Sequence, residues 1–162
     1  MRLKPALTNQ QQEARARTAV AEFLFRQLIV PKVFVEAHWP NERSRVDVLA
    51  VDRSGAGEVH VVEVKLGEQV WTFEEIASSL MHIPAHFKYL ALFENHSRTL
   101  NESSLYAPTG MGRVGVIQVI ENETGDLSVE LRVRPERFRF ESNFKLVDRF
   151  TAAHQPDIEI RP

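Results

Sequence analysis

The chain predicts a mixed α/β fold of the α+β kind, on three observations. A Gly- and Pro-free stretch from Gln10 to Ile29 carries apolar residues at helical spacing, several short runs alternate with period 2, and a second helical stretch separates the third of those runs from the fourth. At 162 residues, with no linker, repeat or low-complexity run, residues 1–162 are expected to form a single domain.

The elements follow in order. Val20, Leu24 and Leu28 recur on one side of the first helix, which must stop before Pro31. Lys32–Ala37, rich in Val and Phe, reads as a strand. Trp39-Pro-Asn-Glu-Arg-Ser44 makes a turn into Arg45–Val51, a second strand, and Ser54-Gly-Ala-Gly57 turns the chain into a third at Glu58–Lys65. A helix is expected over Trp71–Met81, stopping near Pro84, and a strand over Phe87–Phe93. Glu94–Arg113 reads as a loop, and Val114–Ile120 with Leu127–Val133 as a final hairpin across Glu121–Asp126. The core is then about 10–134, with 135–162 a C-terminal extension of unclear structure.

Chemistry concentrates on the second and third strands. With the turn centred on Gly55, Val51 faces Val59, Leu49 faces Val61 and Asp47 faces Glu63, all on one side of the sheet by strand alternation. Two carboxylates so opposed have Cβ atoms roughly 5 Å apart and destabilise the sheet unless something compensates. A divalent cation does so, and Mg²⁺ takes one or two carboxylates plus retained waters. Lys65 points to the same side and offers a compact positive charge to a phosphate oxygen or a water. Both sides of this strand pair are largely apolar, which predicts a central position.

These residues resemble the PD-(D/E)XK nuclease superfamily, whose hallmark is an acid on one strand and Glu/Asp-x-Lys on the next. Here it reads Val46-Asp47 and Glu63-Val64-Lys65, without the Pro before the Asp, a variation the superfamily tolerates. The resemblance implies a restriction-endonuclease-like αβββαβ core, a central mixed sheet flanked by helices, here with an appended C-terminal hairpin. It also implies Mg²⁺- or Mn²⁺-dependent hydrolysis of DNA phosphodiesters, in repair, recombination or defence, with Asp47 and Glu63 as metal ligands and Lys65 as a catalytic residue. Such sites recruit a further acid from the first helix. The helical wheel slightly favours Glu13 and the axial distance favours Glu22, which we take as the catalytic acid. Glu36 stands opposite Asp47 if the preceding turn is centred between Asn41 and Glu42, in a register open by one residue. Gln69 lies where relatives place a polar orienting residue.

Net charge of −2 argues against a general polyanion binder, so any DNA contact must be local. Arg43 and Arg45 beside Asp47, and Arg17 on the first helix, are the candidates. The late run of Arg132, Arg134, Arg137, Arg139, Lys145 and Arg149, interleaved with Phe138, Phe140 and Phe144, reads as a half-buried segment with a solvated outer face. Zinc at His82 and His86 is disfavoured by Pro84 between them. No nucleophile elbow or phosphate-cradling Gly-rich loop is present, and with no cysteine there is no thiolate chemistry. No apolar run reaches membrane-spanning length and the first residues lack a secretory core, so a soluble cytoplasmic protein is expected.

Two other readings stay open. The same fold can bind nucleic acid or protein without catalysis, and Trp39, Trp71 or Phe73 can dock a partner protein. Nothing in the sequence marks a dimer seam, and a homodimer remains open.

Overall fold

The computed structural model describes residues 7–39, 45–52, 57–65, 79–93, 112–139 and 144–159. Helix α1 (Asn9–Arg26) is followed by strands β1 (Lys32–His38), β2 (Arg45–Val51), β3 (Val59–Lys65), β4 (Phe87–Phe93), β5 (Gly115–Glu121) and β6 (Leu127–Val133). Helix α2 (Phe144–Ala153) and the short β7 (Ile158–Glu159) follow. The strands form one mixed sheet in the order β6-β5-β4-β3-β2-β1-β7. β3, β4 and β5 run parallel to one another and every other pairing is antiparallel. A mixed α+β architecture is therefore present, with the predicted strands in place to within a residue at either end.

α1 begins with a reciprocal cap: Gln11 N–H donates to Thr8 Oγ1 at 3.2 Å, and Thr8 N–H donates to Gln11 Oε1 at 2.9 Å. Thr-x-x-Gln is a capping box, legible in the sequence and able to fix the helix start. The helix ends three residues earlier than expected, because Ile29 takes a left-handed conformation (φ 54°) and Val30 N–H closes on Leu24 O at 3.1 Å. Ala16, Val20, Ala21 and Leu24 are buried against Val48, Ala50, Val62, Val64, Ala91 and Ile117 on one side of the sheet. On the other side Phe34, Leu49, Val51, Val61, Leu90 and Leu92 meet Val147 and Phe150 of α2.

The segment expected as an extension is part of this core. Val147 and Phe150 sit three apart on the buried side of α2, while Ile158 and Glu159 pair with Val33 and Lys32 and add β7 to the sheet. Likewise β5 is an interior strand beside β4, and of the expected hairpin β6 alone lies at an end of the sheet. Of the helix expected over Trp71–Met81, residues 71–78 lie outside the described residues, and Ser79–Met81 are helical. The loop expected over Glu94–Arg113 lies outside them too, except for Gly112 and Arg113.

Trp39, expected as an exposed docking residue, is fully buried. Its indole N–H donates to Pro84 O at 2.8 Å and its ring meets Phe150 edge-on at 5.4 Å. A large amphipathic ring gains more from burial with its N–H satisfied than from exposure at a strand end. Trp71 and Phe73 lie outside the described residues. His86 is buried as well, and its Nδ1 accepts from Val59 N–H at 2.9 Å, which fixes the ring to β3. No helix among the described residues is long and apolar enough to cross a membrane.

Candidate functional site

The predicted β2–β3 register holds: Val51 pairs with Val59, Ala50 with His60, Leu49 with Val61 and Val48 with Val62. The ladder ends there, one pair short of Asp47 and Glu63. In place of another rung, Val64 N–H donates to Asp47 Oδ2 at 2.7 Å. The aspartate carboxylate thus stands in for a backbone carbonyl where the two strands part.

The same level of β1 is irregular. Val35 pairs with Val48 and Ala37 with Val46, but Glu36 between them has φ 53° and makes no pair with Asp47. A left-handed glutamate is uncommon and costs of order 1 kcal/mol or more, so the surroundings must hold it. Two arginines do: Arg17 from α1 lies 3.2 Å from Glu36 Oε1, and Arg45 donates to the same oxygen. One consequence is a slip of phase. Phe34 and Ala37 on β1, and Val46 and Leu49 on β2, belong to the cluster away from α1 although each pair is three apart. Strict alternation places Asp47 with Leu49 and Val51; the slip instead turns it toward α1, where Arg17 is 3.9 Å from its Oδ1.

What results is an open cleft of about 580 Å³, lined by Gln10, Glu13 and Arg17 of α1, Glu36 of β1, Arg45 and Asp47 of β2, and Glu63 of β3. Lys65 is not part of the lining, but its ammonium lies 3.1 Å from Glu63 Oε1. Burial raises the pKa of Asp47, against the Val64 hydrogen bond and the charges of Arg17 and Lys65; Glu13 pushes it further up. Burial raises Glu63 too, and Asp47 adds to the rise while Lys65 opposes it. Titratable carboxylates shifted upward in a cleft are a mark of functional sites.

Of the two helix acids, the one taken from the sequence, Glu22, does not join this cleft. Glu22 lies in a separate surface groove with Phe23, Arg26, Leu127 and Val129, beside β6, whereas Glu13 lines the cleft. The two are nine positions apart, about two and a half helical turns, and so occupy opposite flanks of α1. The axial estimate could not separate the flanks; the wheel could. Of the other predicted site residues, Asp47, Glu63, Lys65, Glu36, Arg17 and Arg45 converge, while Gln69 and Arg43 lie outside the described residues. Arg17 and Arg45 are engaged by Glu36, and only Arg45 of the two is more than half exposed at its side chain. Gln10 joins the cleft without a signal beyond its place one turn before Glu13.

No protein-family model and no curated protein matches this chain. One solved structure, SPO1766, a protein of unknown function from Silicibacter pomeroyi, is similar to it over 90% of this chain and 88% of that one. The TM-score is 0.60 at 16% sequence identity. This likeness is one of fold.

The donor set fits a magnesium-type ion and not a softer one. All its donors are carboxylate oxygens, and Asp47 and Glu63 supply the one or two carboxylates Mg²⁺ asks of a protein. Among the described residues no group of three or more His, Asp or Glu side chains is placed to cage a metal; Glu36 is engaged by arginines and Glu63 by Lys65.

The raised Glu63 pKa has a consequence for stability. Its folded-state pKa lies above the unfolded value, so the folded chain binds the proton more tightly; stability is highest below the unfolded pKa, falls as pH rises through the window between the two, and stays reduced above it. Glu63→Gln removes this dependence and is expected to raise Tm at pH 7 by on the order of a few degrees. Thermal unfolding from pH 4 to pH 8 checks it: the variant's advantage must shrink toward acid, and equal melting at all pH values refutes it.

Proposed function

We propose that this chain is a Mg²⁺- or Mn²⁺-dependent phosphodiesterase acting on DNA, a nuclease of the PD-(D/E)XK type with a restriction-endonuclease-like core. The observation that carries the reading is the meeting of Asp47 and Glu63, both held above their ordinary pKa, with the helix acid Glu13 at one open cleft, and the Lys65 ammonium 3.1 Å from Glu63 Oε1 beside it. The order α1-β1-β2-β3, a crossover, then β4 supports it, as does the parting of β2 and β3 at the carboxylates.

Asp47 and Glu63 would hold the ion, which when bound polarises a phosphoryl oxygen and makes a coordinated water more acidic. The Val64 N–H fixes the Asp47 carboxylate, leaving Oδ1 turned to Arg17. Lys65 holds its positive charge at Glu63 and can pass a hydrogen bond to a water or to the phosphate charge that grows during attack. Glu13 lines the same cleft and orients water from the α1 side. Arg45, with its side chain more than half exposed at the rim, is the contact best placed for a backbone phosphate.

A second reading has its own support: Arg17 and Lys65 already compensate the two acids, as in a fold that binds nucleic acid or protein without catalysis. One experiment separates them. Purified chain is incubated with duplex, branched and single-stranded DNA in Mg²⁺, Mn²⁺ or EDTA, and its melting is followed in parallel. Metal-dependent cleavage and a metal-induced rise in Tm, both lost in Asp47→Ala, support the nuclease. DNA binding with neither effect supports the non-catalytic module.

A further inference from the structure

We infer that the outer edge of β6 is a self-complementary surface through which two copies of this chain pair, strand to strand, about a twofold axis at Val129. β6 ends the sheet, and among the described residues no strand pairs with its outer side. The turn fixes which groups face outward. Asn122 N–H donates to Asp126 O at 2.9 Å, Gly125 N–H donates to Asn122 O at 3.0 Å, and Gly125 has φ 86°. This three-residue loop with a bulge glycine sets the antiparallel phase. Ser128 and Glu130 exchange backbone bonds with β5, so Leu127, Val129 and Leu131 turn their N–H and C=O away from it.

An open row of donors and acceptors on a seven-residue strand without proline is a template for another strand. The sequence selects a second copy as that strand. Centred on Val129, antiparallel pairing sets Val129 against Val129, Leu127 against Leu131, Ser128 against Glu130 and Asp126 against Arg132. Every pair is matched: apolar with apolar, a hydroxyl donor with a carboxylate, an acid with a guanidinium whose five donors leave room for contacts within its own chain. Shifting the axis to Glu130 opposes two glutamates. Shifting it to Leu131 sets Leu127 against Pro135 and Asp126 against Glu136, beyond the strand and past its irregularity at Val116/Ile117.

The apolar side of β6 agrees. Leu127, Val129 and Leu131 lie against the α1 cluster but remain only partly buried, and a groove of about 170 Å³ opens between Leu127 and Val129 and α1 at Glu22, Phe23 and Arg26. A twofold perpendicular to the sheet keeps both α1 helices on one side, so the partner's Leu131 extends this apolar strip.

Sedimentation equilibrium of the whole chain from about 1 µM to about 1 mM reads the association. The mass is expected to move from 18.6 kDa to twice that and no further, since an isologous contact closes. Val129→Pro removes an outward N–H without touching the β5 ladder and should hold the chain monomeric with its fold intact by circular dichroism. Arg132→Glu should weaken the dimer at least about tenfold, because it sets two acid pairs across the axis, and Asp126→Arg with Arg132→Glu should restore it. In the wild-type dimer the Val129 amide should exchange its hydrogen more slowly than in Arg132→Glu. A monomer throughout the range, species larger than a dimer, a dimer indifferent to both single variants, or a double variant without restoration overturns the inference.

Discussion

Lys65→Ala is expected to lower Mg²⁺-dependent DNA cleavage by about 10²–10³-fold while leaving the fold unchanged, since loss of one preorganised positive donor at a growing oxyanion has that size. Lys65 is partly exposed and pairs with the largely buried Glu63, so its removal is expected to raise the Glu63 pKa further and to cost some stability without unfolding the chain. Asp47→Asn should lose at least as much activity, although the amide oxygen can still accept from Val64 N–H. Glu13→Gln should lose about tenfold or more, and Glu22→Gln, on the far flank of α1, should lose nothing. Single-turnover rates on a labelled duplex with saturating metal separate these. Equal losses at Glu13 and Glu22 would refute the assignment of the helix acid, and cleavage surviving in both Lys65→Ala and Asp47→Asn would remove the nuclease reading altogether.

How much of this was legible depends on which rule governed each residue. The β2–β3 register followed from period-2 alternation and a glycine turn, and Leu49–Val61 and Val51–Val59 meet as the pattern requires. Alternation failed at the next step. Glu36 adopts a left-handed conformation with no glycine to announce it, and the slip it accompanies turns Asp47 toward α1. Nothing in Phe34–Val35–Glu36–Ala37 signals that, because the conformation is held by Arg17 from a distant segment. The flank of α1 that carries each acid was legible on the helical wheel, which places Glu13 and Glu22 on opposite sides, and not in the axial distance. The capping box at Thr8 and Gln11 was available and would have fixed the start of α1. The apolar spacing of Val147 and Phe150 was obscured by the Arg- and Phe-rich run before it.

The largest stability effect is expected at Trp39. It has no exposed surface, and Trp39→Ala both deletes a core side chain and leaves a cavity against Phe150, a loss of about 3–5 kcal/mol. Set against a total of about 5–15 kcal/mol for a domain, that leaves a marginal protein. Trp39→Phe isolates the polar part: the ring largely remains, but Pro84 O loses its donor at 2.8 Å, a cost of about 1–3 kcal/mol if no water replaces it. Urea unfolding followed by far-UV circular dichroism measures both, and a loss under about 1 kcal/mol for Trp39→Ala contradicts the packing described. The effect reaches the site through the chain. Trp39 follows directly on β1 and ties its end to the approach to β4, and three residues back Glu36 is held in its unusual conformation by Arg17 and Arg45. Freed of that anchor, the end of β1 can relax Glu36 to an ordinary extended conformation and loosen the clamp. Trp39→Phe should therefore weaken the Mg²⁺-induced rise in Tm by more than its own loss of stability accounts for, whereas a core change remote from β1, such as Ile117→Val, should lower stability and leave the metal response unchanged.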